Sequence, residues 1–196
     1  MSEPARNELR TAIVAVQRAL DELGAPAMII GGVAVISAGV ARLTTDVDAT
    51  VAGADATPEH ILLTMARHGC VARIADVAAF ARQSQVLLLR HEPTQVNVDL
   101  SLAWLPFEEA ALGRAREVDF DGTRLRVATP MDLVIYKIVA SRPRDLDDAE
   151  KLLLLHADID VAYVREVIGA FAAAIEQPER VEVLEALLEK VGRSSP

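Results

Sequence analysis

The sequence predicts an α/β (α+β) protein: a mixed β-sheet flanked by helices, followed by a helical C-terminal portion. Three observations predict it. Two segments, 44–51 and 96–102, alternate between two sets of side chains with the period of a strand. Apolar residues at Leu9, Ile13, Val16, Leu20 and Leu23 recur by threes and fours, the period of an amphipathic helix. From Thr129 onward only helical spacing remains, and no Gly- or Ser-rich linker precedes it. The expected division is a core over 1–128 and a helical portion over 129–196 packed on that core.

Each element follows from local chemistry. The first helix runs over 8–23, and Gly24 closes it. Ala27-Met28-Ile29-Ile30, bounded by Pro26 and Gly31-Gly32, is a short buried strand. A helix of small residues follows over 33–38 and ends at Gly39. The strand over 44–51 sets Thr44, Asp46 and Asp48 on one face, with Thr45 and Val47 on the other. Thr57 caps a helix reaching His68, with Pro58 at its first position. A short helix is expected over 77–82 and a strand over 86–89. In the strand over 96–102, Val96, Val98, Leu100 and Leu102 point one way and Asn97, Asp99 and Ser101 the other. Phe120-Asp121-Gly122-Thr123 turns a hairpin between 116–118 and 125–127. Thr129 caps a helix opened by Pro130 and reaching about 141, and Pro143 restarts a helix through 155. Asp160 caps a third and Pro178 opens the last.

Composition bounds the function classes. The 196 residues suit one domain with a small helical appendage, and with 4% aromatics the core must be built from Leu, Val, Ile and Ala. A net charge of −9 argues against a protein that lives by non-specific phosphate contacts. Small molecules, metal-bound nucleotides or a basic partner protein fit that charge better. The single cysteine, Cys70, excludes an intrachain disulfide, and His60, His68, His91 and His156 are scattered without zinc spacing. The uncharged stretch over 24–41 is long enough to raise the membrane question. Pro26, Gly31, Gly32 and Gly39 punctuate it as strand, turn and buried helix instead. The N-terminus lacks the basic-then-apolar order of a signal peptide. A cytoplasmic protein without membrane association is expected, of open oligomeric state.

The residues that carry chemistry are acidic. Asp46 and Asp48 lie two apart on one strand face, so their α-carbons stand roughly 6.5 Å apart at strand rise. Two such carboxylates repel each other and would raise one pKa, and a divalent cation between them removes the conflict. Mg²⁺ (or Mn²⁺) suits oxygen donors, taking one or two carboxylates plus substrate phosphates. A Gly31-Gly32 turn between strand and helix lets the backbone approach a phosphate closely. An anion cradle followed by a metal-binding carboxylate pair suits a nucleoside triphosphate with its metal. Asp99, on a second strand, would bring a third carboxylate to hold one or two ions, of which one activates the attacking oxygen and the other steadies the leaving phosphate. Arg42 either clamps phosphate or pairs with a nearby acid. Lys137 interrupts the apolar helix of Leu133, Val134, Ile135, Ile138 and Val139, where it either reaches triphosphate oxygens or snorkels to water. Asp147 and Asp148 are either an acidic first helical turn or catalytic.

Gly31-Gly32, then Thr44-Thr45-Asp46-Val47-Asp48, then the Asp99 strand, resemble the DNA polymerase β-like nucleotidyltransferase superfamily. That superfamily is marked by a Gly-Gly or Gly-Ser turn, an Asp-x-Asp pair and a third Asp on a later strand. Within it the chain looks most like small bacterial nucleotidyltransferases of the AbiEii toxin type and their relatives. Arg42 with a Thr just ahead of the acid pair matches that subgroup. So does Asp132-Leu133-Val134-Ile135-Tyr136-Lys137 followed by Arg142-Pro143-Arg144-Asp145-Leu146-Asp147-Asp148. The resemblance spans about residues 10 to 155. It implies a nucleotidyltransferase-type sheet and transfer of a nucleoside monophosphate from an NTP to an acceptor hydroxyl. Asp46, Asp48 and Asp99 would be the catalytic and metal-holding residues, and Gly31, Gly32, Arg42, Thr45 and Lys137 would bind the nucleotide. Gly32 departs from the Ser of many members, which removes a hydroxyl contact and should weaken triphosphate binding without abolishing it.

The acceptor is left open. A toxin of the AbiEii type would modify the 3′ end of tRNA and have a cognate antitoxin, with Arg10, Arg18, Arg73, Arg82, Arg114 and Arg116 available for a basic patch. A small molecule such as an aminoglycoside is the second acceptor and a protein hydroxyl the third. The rival class is a non-catalytic nucleotide- or partner-binding protein of the same fold, which would bind Mg²⁺·NTP without releasing pyrophosphate.

Overall fold

In the computed structural model, which describes residues 2–52 and 57–193, a long amphipathic helix, α1 (Glu3–Leu23), opens the chain and buries Leu9, Ile13, Val16 and Leu20. Pro4 stands in its first turn, where the missing N–H costs nothing, so the helix begins ahead of its apolar spacing. Gly24 ends it at φ 67°, in the left-handed conformation that glycine adopts freely. There follow β1 (Ala27–Ile30), α2 (Gly31–Ser37), β2 (Asp46–Ala52), α3 (Pro58–Arg67), β3 (Cys70–Ala72), α4 (Val77–Ser84), β4 (Val86–His91), β5 (Val96–Ala103), α5 (Pro106–Arg114), β6 (Arg116–Phe120) and β7 (Thr123–Val127).

The strands form one seven-stranded sheet in the order β3-β4-β5-β2-β1-β7-β6. β2 runs parallel to β5 and β1 parallel to β7, while the other neighbours are antiparallel, so the sheet is mixed as expected. Val47, Ala49 and Val51 of β2 and Val98 and Leu100 of β5 are fully buried. The alternation of these strands thus has its apolar half in the core and its acidic half on the opposite face.

The chain divides into two units. The first takes in Met1–Ser37 and Ala41–Ala128, the second Ala38–Val40 and Thr129–Pro196. The second unit holds α6 (Pro130–Ala140), α7 (Pro143–Leu155), α8 (Val161–Ala174) and α9 (Glu179–Lys190). The Thr129 hydroxyl accepts from the Asp132 N–H and the Asp160 carboxylate from the Tyr163 N–H, the N-caps expected. Arg193 donates to the carbonyls of Leu153, His156, Ala157 and Ile159, satisfying the end of α7. The His156 ring, 2.9 Å from the Ala38 carbonyl, holds the short 38–40 segment to this unit.

Two elements and several boundaries differ from the sequence expectation, among them the following. β3, three residues long, is too short for alternation to reveal. α5 was not foreseen either: its first turn is secured by Glu108, which accepts from the Trp104 and Leu105 N–H groups, a signal carried by one residue. α2 begins at Gly31 rather than at 33. β2 begins at Asp46, so Thr44 and Thr45 precede the strand rather than belonging to it. Among the described residues no helix is long and apolar enough to cross a membrane, and the uncharged stretch over 24–41 contains β1 and α2.

Candidate functional site

Strand register assembles the site. β1 and β2 are antiparallel with Ile30 opposite Asp48, so the turn that follows Ile30 lies beside the Asp48 side chain. β2 and β5 are parallel with Asp48 opposite Asp99. Ile30, Asp48 and Asp99 therefore stand at one level across β1, β2 and β5, with Gly31 next along the chain and Asp46 two residues before Asp48 on the same face.

Gly31 meets two demands. Its φ is +60°, and a Cβ there would lie 1.9 Å from Asp48 Oδ2, so the carboxylate rests against the bare backbone of the turn. At Gly32 a Cβ would stand 2.3 Å from Thr44 Oγ1 and 3.2 Å from Arg42 Nη2. Both glycines are thus fixed by what approaches them: an acid at the first, a hydroxyl and a guanidinium at the second. The buried Thr44 hydroxyl donates to Asp46 Oδ1 at 2.7 Å and orients that exposed carboxylate. Arg42 donates from Nε to the Leu43 carbonyl at 3.3 Å. Thr45 is exposed and lies ahead of β2, outside this set of contacts. Because α2 has only two turns, any phosphate held here would rest on the turn's backbone N–H groups and Arg42 more than on a helix dipole.

Asp99 has a partner of its own. Arg73, which follows β3 and donates its backbone N–H to the Leu88 carbonyl, places Nη2 2.7 Å from Asp99 Oδ1. The contact is an ion pair without an aligned hydrogen bond, since Oδ1 is buried and accepts none. Burial pushes the Asp99 carboxyl above the usual range, with the Asp46 charge adding to the rise and Arg73 opposing it. Among the described residues no three His, Cys, Asp or Glu side chains stand close enough to hold a metal ion together. Asp46 and Asp48 nonetheless fit a hard divalent cation: they supply oxygen donors from one strand face, beside the Gly31-Gly32 turn. The side chain at Asp99 faces a guanidinium instead.

Lys137 belongs to the second unit. Its ammonium, on α6, donates to Asp145 Oδ1 at 2.8 Å and lies 3.1 Å from Asp148 Oδ2, all three side chains being buried. Burial opposes ionisation of Asp145, but hydrogen bonds from Arg142 and Lys137 and their charges outweigh it and hold its carboxyl below the usual range. The amine assigned from sequence to triphosphate oxygens is engaged by two carboxylates of α7. Asp147 is exposed and pairs with Lys151 at 2.6 Å, an i,i+4 surface contact.

Thr44 and Arg73 are the two residues that sequence reasoning missed. Thr44 carried a signal, since a hydroxyl two residues before an acid can bond to it. Arg73 carried none, because only the β3-β4-β5 pairing brings it to Asp99.

This sheet, with an acid pair abutting a Gly-Gly turn, defines a nucleotidyltransferase-type fold. Solved structures of similar fold include the antibiotic-resistance factor ANT(2″)-Ia, at 17% identity and TM-score 0.59 over 87% of this chain and 95% of that one. An antigenic nucleotidyltransferase-like protein from Paracoccidioides brasiliensis matches at 16% identity and TM-score 0.53, covering 92% of this chain and 93% of the other. JHP933 from Helicobacter pylori matches at 14% identity and TM-score 0.55, covering 97% and 93%. No curated protein matches the sequence. The chain belongs to the family described as nucleotidyltransferase of unknown function (DUF6036), whose model matches residues 8–193.

Proposed function

We propose that this nucleotidyltransferase transfers a nucleoside monophosphate from an NTP to an acceptor hydroxyl with the help of Mg²⁺ or Mn²⁺. The observation that carries the reading is the contact of Asp48 with Gly31, which supports a carboxylate acting beside a backbone turn. Asp46 and Asp48 hold the ion, and Thr44 orients Asp46. The ion, when bound, offsets triphosphate charge and polarises the α-phosphoryl group. Gly31, Gly32 and Arg42 receive the phosphates. Asp99 takes the proton of the acceptor hydroxyl as its oxygen bonds to the α-phosphorus. The bond from that phosphorus to the bridging oxygen breaks, and pyrophosphate leaves.

For the acceptor we favour a small hydroxyl-bearing molecule. Three of the six arginines weighed for an RNA-binding patch are paired with acids: Arg10 with Asp121, Arg73 with Asp99 and Arg82 with Glu59. The net charge of −9 points the same way. ANT(2″)-Ia, similar in fold over 99% of its chain at 16% identity and TM-score 0.55, has been crystallised with adenylyl-2″-tobramycin. A second reading, an AbiEii-type toxin acting on tRNA in the cytoplasm and held by an antitoxin, keeps one support. Arg10, Arg18 and His68 line a surface groove of about 520 Å³ along α1.

The test offers each α-labelled NTP with Mg²⁺ and, as acceptors, aminoglycosides, total RNA and the protein itself, with Asp48→Asn as control. Label entering one acceptor class, and absent in the control, establishes the transfer. Label retained by a folded Asp48→Asn protein overturns the assignment. Nucleotide binding without pyrophosphate release in any arm favours the non-catalytic rival.

A further inference from the structure

The third carboxylate of the site is already matched to a cation. Asp99 has its buried Oδ1 2.7 Å from the Arg73 guanidinium, while the rest of the Asp99 carboxyl is partly exposed and Arg73 is largely covered. The pairing is set by the backbone rather than by a loose surface side chain. Arg73 is tied to β4 through its N–H bond to Leu88, and Leu88 is the residue opposite Asp99 on β5. Two inter-strand spacings, roughly 9–10 Å, separate the Arg73 and Asp99 backbones, a span that an extended arginine reaches with its terminal nitrogens. Guanidinium does not lose its proton at any ordinary pH, so the cation at Asp99 is permanent. Asp46 and Asp48 sit on the other side of this pair, and no third acid joins them among the described residues.

We propose that Arg73 is a positioning residue whose guanidinium takes the cation place at Asp99, so that the site binds one divalent ion, on Asp46 and Asp48, rather than two. This rests on the metal-dependent reading above and deepens it. Arg73 fixes one oxygen of Asp99 and leaves the other to meet the acceptor hydroxyl. Acceptor activation then depends on the carboxylate itself, while the single ion serves the triphosphate.

The consequence is measurable without turnover. The full-length chain is titrated with Mn²⁺ in the presence of α,β-methylene NTP analogues, and free Mn²⁺ is followed by electron paramagnetic resonance against analogue alone. The wild-type protein should take up one ion per chain. Asp99→Asn should keep that ion with a Kd within about threefold of wild type, whereas Asp48→Asn should lose it. Arg73→Gln, which frees Asp99, should take up a second ion, and Arg73→Lys, which restores a cation, should return the count to one. A merely structural arginine would change the melting temperature but not the number of ions. Two ions in the wild-type protein, or loss of an ion in Asp99→Asn, would overturn the proposal while leaving metal-dependent transfer standing. No ion in the wild-type protein would remove both. If Arg73→Gln fails to fold, the wild-type count and the Asp99→Asn arm still decide.

Discussion

Placing a methyl group at Gly31 tests the geometry on which the site depends. Gly31→Ala introduces two separate penalties. The first is backbone strain, because a residue with a Cβ held at φ +60° costs about 1–2 kcal/mol. The second is steric: the new carbon would stand 1.9 Å from Asp48 Oδ2 and 2.7 Å from Asp48 Cβ, against 3.4 Å or more for ordinary contact. The carboxylate oxygen has to retreat by about 1.5 Å, which takes it off the turn; a displacement near 1 Å at a reacting centre costs on the order of a hundredfold in rate. Gly24→Ala separates the two effects. Gly24 has φ +67° but nothing within 4 Å of its added carbon, so that variant carries the strain without the collision. Both variants should lose a few degrees of melting temperature, at about 2–4 °C per kcal/mol for a chain of this length. Only Gly31→Ala should lose Mn²⁺ and nucleotide affinity, by tenfold or more, for each about 1.4 kcal/mol of lost contact. Isothermal titration and thermal melting on the same samples read both quantities. Unchanged Mn²⁺ and nucleotide affinity in Gly31→Ala would refute the claim that Asp48 acts from its seat on this turn.

Three further outcomes follow from the same structure. Lys137→Met leaves Asp145 and Asp148 buried without their shared ammonium, which should destabilise the protein by about 3–5 kcal/mol in denaturant unfolding; unchanged stability with lost nucleotide binding would return Lys137 to the nucleotide. The Asp145 carboxyl is held below its ordinary value in the folded state, so its contribution is present above about pH 4 and is lost as pH falls through the lowered folded pKa. Stability measured from pH 7 to 3 should drop in that window, and the drop should shrink in Asp145→Asn. Burial pushes the Cys70 thiol up to about 11, so a thiol reagent at pH 8 should label the native protein not at all and the denatured protein once per chain.

How much of this was legible in the sequence depends on how far apart the partners lie along the chain. The acid pair could be placed on one face because a strand's period is fixed by covalent geometry, and Val47 and Val51 between and beyond the acids mark the buried side. The Asp99 strand was legible for the same reason. The exact start of β2 was not, because Thr44 and Thr45 have strand propensity and continue the alternation, yet the ladder to β5 begins only at Asp46. The Arg73–Asp99 pair was hidden altogether, since it needs a three-residue edge strand and two registers that no local pattern specifies. Lys137 shows the converse. Its place on an apolar helix was legible, but the partners that engage its amine lie on the next helix, where the sequence reads Asp147 and Asp148 as an acidic first turn or catalytic and gives Asp145 no role of its own.

Gly32 and Thr44 make one structural choice together. From sequence, Gly32 is a missing hydroxyl at the turn. In the structure the space beside Gly32 is filled: Thr44 Oγ1 would lie 2.3 Å and Thr44 Cβ 2.7 Å from a side-chain carbon there, and Thr44 is buried with little room to withdraw. A serine at 32 and the present threonine at 44 therefore exclude each other. The hydroxyl has not so much been lost as moved to the other wall of the turn, where it faces Asp46 and not a phosphate. On the phosphate-binding role proposed for the turn, its removal from that side forgoes about 1.5–3 kcal/mol, the worth of a hydrogen bond to a charged group. The same bond now fixes Asp46, the acid proposed above to hold the metal. The Arg42 guanidinium, a permanent cation, would stand 3.2 Å from the same side-chain carbon and crowds position 32 from a second direction.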